Sequence, residues 1–167
     1  PVEREQHVIG DAGLLPEQIN WAGKVLNEHP DVRWTFILMH QPLWLYENAR
    51  AEKQSTGWPE IASALGDRDF TVFAGHVHRY TRYARPERHH HVPATTGGGS
   101  RLRGPGYGEF DHAVRDTMTP EGPRSANLLL DGIVGENVYT EQTAAFRNSL
   151  SISYTADLDA RSISGSL

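Results

Sequence analysis

Two apolar runs that each stop on histidine constrain this chain more than any other feature. Phe70-Thr-Val-Phe-Ala74 passes through Gly75 into His76-Val77-His78, and upstream Trp34-Thr-Phe-Ile-Leu-Met39 ends on His40 before the turn-forming Gln41-Pro42. Runs of this length, rich in aromatic and branched residues and bounded by Gly or Pro, read as strands. The upstream run is too unbroken for an edge strand, which predicts burial on both faces in a parallel or mixed sheet. Between the two, Trp58-Pro59 opens a helix that continues through Leu65, with Gly66 at its carboxyl cap. Strand, helix and strand, with roughly thirty residues between the histidine-bearing ends, is the size of a β-α-β unit, whose strands run parallel. Parallel strands share a carboxyl edge, and ligands of open α/β sheets bind there, so His40 and His76 are expected as neighbours. His76 and His78 project to one side if their segment is extended, whereas a turn would splay them. Imidazole is the common nitrogen ligand of zinc, iron and manganese, so three converging rings make most of a metal site.

The rest of the chain supplies a frame for those strands. Pro16 suits a first helical position, and Leu15, Ile19, Ala22 and Leu26 form the stripe of a one-sided helix that ends before Pro30. Val8-Ile9 hints at a strand end, and Leu43 to Thr56 reads as a polar, irregular connection. After His78 come short alternating segments, Arg79 to Ala84, His90 to Thr95, Phe110 to Met118 and Ser125 to Leu130, which read as antiparallel strands. The glycines of Gly97-Gly98-Gly99 are expected to shape a backbone turn. Residues 1–140 are read as one domain segment and 141–167 as a Ser/Thr/Ala-rich tail, with Ala144 to Leu150 as a short helix.

Charge and composition exclude several partners. The chain has 167 residues, a net charge of -5 and no cysteine. No global field draws it to nucleic acid, no apolar run has the length of a membrane span, and any metal must be held by nitrogen and oxygen. Charge is nevertheless uneven: Arg79, Arg82, Arg85, Arg88, Arg101 and Arg103 face a single nearby acid, Glu87. That stretch is either solvated loop or a positive field for an anion such as a phosphate ester. Arg101 and Arg103, beside the glycine loop, are the candidate phosphate contacts. His89-His90-His91 reads as surface or strand-start sequence, because consecutive strand residues cannot all face one site. Asp111 and His112 alternate across a strand and read as structural.

Gly75-His76-Val77-His78, preceded by Leu38-Met-His40-Gln-Pro42, resembles the carboxy-terminal signatures of the calcineurin-like metallophosphoesterases, a superfamily that includes the purple acid phosphatases. Gly13-Leu-Leu-Pro-Glu-Gln18 with Trp21, Thr96-Gly-Gly-Gly-Ser100, Tyr107-Gly-Glu-Phe-Asp-His112 and Asn127-Leu-Leu-Leu-Asp-Gly132 look like neighbouring parts of that family, so the likeness spans roughly residues 12 to 140. The resemblance implies an α/β fold: the carboxy-terminal half of a β-sandwich flanked by helices, with a mixed sheet. It also implies two divalent or trivalent ions, manganese, iron or zinc, about 3.5–4 Å apart, acting on a phosphate ester through a metal-bridging hydroxide. Carried over to this sequence, His40 and His76 would hold one ion and His78 the other.

The family's amino-terminal signatures, Asp-x-His, Gly-Asp-x-x-Asp or Tyr, and Gly-Asn-His, supply its bridging carboxylate and remaining ligands. None is found here; Gly10-Asp11 has no Asp or Tyr at position 14 and no Gly-Asn-His before His40. Without that carboxylate two close dications repel with little to offset them. The expectation is therefore the carboxy-terminal half of a longer enzyme, inactive alone and completed by its amino-terminal half. Two alternatives remain on the sequence: a non-catalytic relative that binds an anionic partner, or a single zinc on His40, His76 and His78 with an open fourth position.

Overall fold

A computed structural model describes residues 13–47, 55–85 and 88–159, with side chains as far as residue 150. The expected strand end at Val8-Ile9 and the Gly10-Asp11 pair lie outside the described residues. The chain divides into two compact units, Pro1–His76 and Val77–Leu167.

In the first unit the order is helix α1 (Pro16–Glu28), strand β1 (Thr35–Met39), the single turn α2 (Leu43–Tyr46), helix α3 (Trp58–Leu65) and strand β2 (Phe70–Ala74). Pro16 starts α1 as expected, and Gln18 locks its first turn: the Gln18 side-chain oxygen accepts from the Leu15 N–H at 2.8 Å. The other end is closed from a distance. Arg68 donates to the backbone oxygens of Leu26 and His29 at 2.6 and 2.7 Å, adding to the His29 N–H that Leu26 already accepts. Helix α3 begins after Gly57, whose φ of +82 and 2.9 Å clearance between a built Cβ and Leu14 Cβ admit only glycine comfortably. Ile61 and Leu65 of α3 pack on Phe70 and Val72 of β2, and Leu14, Ala22, Leu26, Ile37, Met39, Trp44 and Trp58 close around them. Fully burying side chains of this size is worth about 1.5–3 kcal/mol each, which makes this cluster the main stabiliser of the unit.

β1 and β2 pair in parallel, with Thr35 beside Phe70 and Met39 beside Ala74. That register is what brings the residues after each strand to one edge. Burial differs from the expectation for β1, however. β2 is buried along nearly its whole length, but Phe36 and Leu38 of β1 are 42% and 79% exposed. Ile37 and Met39 pack against the core, and Phe36 and Leu38 alternate with them on the other side of the strand. The connection after Pro42 is also less irregular than expected, because Leu43 is buried and draws Leu43-Trp-Leu-Tyr46 into a turn of helix. The re-entry point is pinned by Thr56, fully buried, whose N–H and hydroxyl both donate to the Glu47 carboxylate.

In the second unit β3 (Thr81–Arg85) and β4 (Arg88–Val92) form an antiparallel pair, and β5 (Ala113–Thr119), β6 (Gly122–Leu128) and β7 (Ile133–Gly135) form an antiparallel sheet. β7 escaped the sequence reading because three residues are too few to show alternation. Tyr80, Phe110 and Tyr139 are the buried centre here, and the Tyr80 hydroxyl donates to the Glu136 carbonyl at 2.7 Å. Gly108 lies under Tyr80: its φ is +68, and a built Cβ would sit 2.5 Å from the Tyr80 carbonyl oxygen. The segment read as a tail from residue 141 begins as helix α4 (Glu141–Asp159), longer than the Ala144–Leu150 helix expected. Parallel and antiparallel pairing with flanking helices make the fold α/β. No helix among the described residues is long and apolar enough to cross a membrane.

Candidate functional site

The β1–β2 register delivers His40 and His76 to the same strand ends, where their rings meet edge to face with centroids 5.1 Å apart. His40 Nε2 lies 3.1 Å from His76 Nδ1. Gly75 lies beside the His40 backbone, where a built Cβ would sit at an ordinary 3.6 Å from the His40 carbonyl oxygen. Two nitrogens each about 2.1 Å from one cation stand roughly 3.0–3.4 Å apart across an octahedral or tetrahedral angle. The observed separation is therefore the spacing of two ligands on a single ion, and equally that of a ring-to-ring hydrogen bond when no ion is bound. The residues fit the first half of a metal site.

His76 and His78 do not stand on an extended segment. β2 stops at Ala74, and His76 and His78 take φ values of +72 and +55, the left-handed region that costs a non-glycine residue about 1–2 kcal/mol each. The tight double bend is the turn that the sequence left open as the alternative to an extended segment. Such strain is kept where the surrounding structure demands a particular side-chain direction. No apolar pattern signals it; only the Gly-His-x-His string itself marks the spot.

His78 is oriented within the second unit by the glycine loop. Its Nδ1 donates to the Gly99 carbonyl at 2.6 Å. A carbonyl can only accept, so the proton sits on Nδ1, and in the neutral ring Nε2 carries the lone pair. A metal-binding histidine is commonly held in this manner, with its second nitrogen bonded to a backbone carbonyl. The loop is fixed in turn by Asp111, whose Oδ1 accepts from the Thr95 hydroxyl at 2.5 Å and from the Gly97 N–H at 3.0 Å. Those two bonds, the Thr95 one first, hold the Asp111 carboxyl below the usual carboxylate range. Gly98 is closely packed on the loop's own base, where a built Cβ would press on Thr95 Cγ2 at 3.2 Å.

The arginines are less available than their sequence suggested, because acids distant in the chain reach them. Glu109, 5% exposed, holds Arg103 through paired contacts to Nε and Nη2 and Arg79 at 3.5 Å. The Arg103 guanidinium also lies 4.4 Å from the Tyr107 ring centre. These bonds, the Arg103 one first, push the Glu109 carboxyl down and the Arg103 guanidinium up. Arg82 is bound by Glu136 at 3.2 Å. Arg101 is exposed and stays a candidate for contact with a solution anion.

The His89–His91 tract is a strand start, as read, but not surface: β4 begins at Arg88, and His91 is 1% exposed. His89 and His91 share one side of β4, and with Glu136 they form a group of three donor atoms within 4.8 Å of one another.

No family model, curated protein or solved structure matches this chain.

Proposed function

We propose that this chain carries the histidine side of a metal-dependent phosphoesterase centre, with the remaining ligands supplied by polypeptide outside it. The observation that supports the reading is the 3.1 Å approach of His40 Nε2 and His76 Nδ1 at the shared end of two parallel strands. His40 and His76 would hold one ion. His78, its Nδ1 proton committed to Gly99, would offer Nε2 to a second. Bound cations would neutralise charge on a phosphoryl group and lower the pKa of water toward neutrality. The chain's own part is to keep the imidazoles aimed, through the strained bend at 76–78 and the Asp111-braced loop. The resemblance in Gly75-His76-Val77-His78 points to phosphate esters as substrate class.

The test is direct. The chain is mixed with manganese and a chromogenic phosphate monoester, with and without His76→Ala. Binding of manganese that falls on substitution, without appreciable turnover, is expected. Substantial turnover by the chain alone, abolished by His76→Ala, would show a complete site and sink the half-site reading. Manganese binding indifferent to His40→Ala and His76→Ala would remove the metal reading altogether.

A further inference from the structure

Away from those strand ends, the second unit holds another set of nitrogen and oxygen donors. On β4 His89 and His91 are two residues apart and face the same way, with ring centres 6.3 Å apart. β3 sets Arg82 directly opposite His91 in the antiparallel register. The segment after β7 runs alongside, its Tyr139 carbonyl accepting from the Arg82 N–H at 3.1 Å, and brings Glu136 over the pair. Three separate elements thus converge on one spot.

The Arg82 guanidinium occupies that spot. Its Nη2 is 2.8 Å from His89 Nδ1 and 3.2 Å from Glu136 Oε1, while its Nη1 donates to Asn137 Oδ1 at 2.9 Å. Guanidinium nitrogens only donate, so His89 Nδ1 accepts and presents a lone pair inward. His91 Nε2 and Glu136 Oε2 face each other across 4.0 Å, too long for a hydrogen bond. Two imidazoles and a carboxylate are a known zinc donor set, and donors on one ion at about 2.1 Å stand no more than roughly 4.2 Å apart. The present group, within 4.8 Å, needs only small side-chain rotations to close on an ion. Glu136 also lines a groove of about 580 Å³ together with Pro123, Arg124, Ser125 and Asn137.

We propose that His89, His91 and Glu136 form a site for a zinc-class divalent ion, with the Arg82 side chain as the resident cation that an entering metal must displace. The arrangement is a competition between two positive groups for one carboxylate and one lone pair. It predicts weak binding while Arg82 is present and tight binding once its charge is gone. The site is independent of the His40–His76 pair, and the two stand or fall separately.

The experiment uses the full chain carrying His40→Ala, His76→Ala and His78→Ala, so that zinc cannot bind at the strand ends. Zinc affinity is measured by competition with a chromogenic chelator, and cobalt is added to read the ligand field by absorption. Adding Arg82→Gln should raise the affinity about tenfold or more, and adding Glu136→Gln or His89→Ala to that background should lower it by about ten- to a hundredfold. His89 and Glu136 are chosen over the more buried His91, and circular dichroism confirms that each variant is folded. If folded Arg82→Gln binds no more tightly than its parent, or if Glu136→Gln and His89→Ala leave its affinity unchanged, the proposal fails. A cobalt spectrum lacking the intense bands of a four-coordinate site would equally count against it.

Discussion

The two histidine groups of this chain are opposites in their surroundings. His40 and His76 stand at open strand ends, His40 exposed, with each ring within reach of the other. His89 and His91 stand within a strand pair, the latter almost wholly buried, with a guanidinium and a carboxylate already in place between them. On the readings proposed above, the first group would take a cation from solution with little rearrangement. The second already holds the Arg82 guanidinium, and a metal would enter there only by exchange. Histidine count therefore says little about metal binding; what matters is whether the protein has already neutralised the acid that would attract the ion.

The largest expected effect sharpens the buried side of the contrast. Because the folded-state pKa of His91 lies near 3, well below the ordinary 6.5, the folded protein takes up this proton later than the unfolded chain does. Stability on this account is fully present above about pH 6.5 and is lost as pH falls toward 3, at up to about 1.4 kcal/mol per pH unit. His89 and His112, also shifted down by burial, act in the same direction. Urea unfolding midpoints measured with chelator from pH 7 to pH 4 should fall steeply for the parent and less steeply, by close to one proton, for His91→Gln. Equal slopes would place the burden elsewhere.

Next in size is the open pair. His76→Ala should weaken manganese binding by roughly ten- to a hundredfold, read by titration calorimetry, whereas His91→Gln should leave that binding within about twofold. The reverse ranking would exchange the roles of the two groups. Smaller again is Gly108→Ala, which forces a side chain into a left-handed backbone and against the Tyr80 carbonyl; thermal unfolding should show a loss of about 1–3 kcal/mol. The smallest concerns β1. Leu38→Lys, at a position 79% exposed, should change stability by no more than about 0.5 kcal/mol, whereas a strand buried on both faces would lose several.

Much of the first unit was legible in the sequence because its signals are local. Pro16 and the Leu15-Ile19-Ala22-Leu26 stripe mark α1, Trp58-Pro59 and Gly66 bracket α3, and two apolar runs mark β1 and β2. The juxtaposition of His40 and His76 followed from strand, helix and strand of the right length. The bend at His76 and His78 was not legible, since left-handed backbone at histidine has no sequence signature beyond the residues themselves. The open face of β1 was missed for a different reason: an apolar run reports what a strand can bury, not whether anything lies over it. The arginines were misjudged because Glu109 and Glu136 reach Arg79 and Arg82 from other elements.

By itself the order of residues determined which segments are helix and strand in the first unit and which histidines close its parallel pair, for those depend on periodicity and on the short reach of a β-α-β link. Only the tertiary structure decided which charges cancel, which imidazoles lose their water and where the Arg82 guanidinium settles beside His89 and Glu136. Such outcomes depend on distances between atoms far apart along the chain, as with Arg68, which closes α1 from 39 and 42 residues away. Electrostatic energy varies with separation and with access to water, and neither is written in the spacing of residues along one strand.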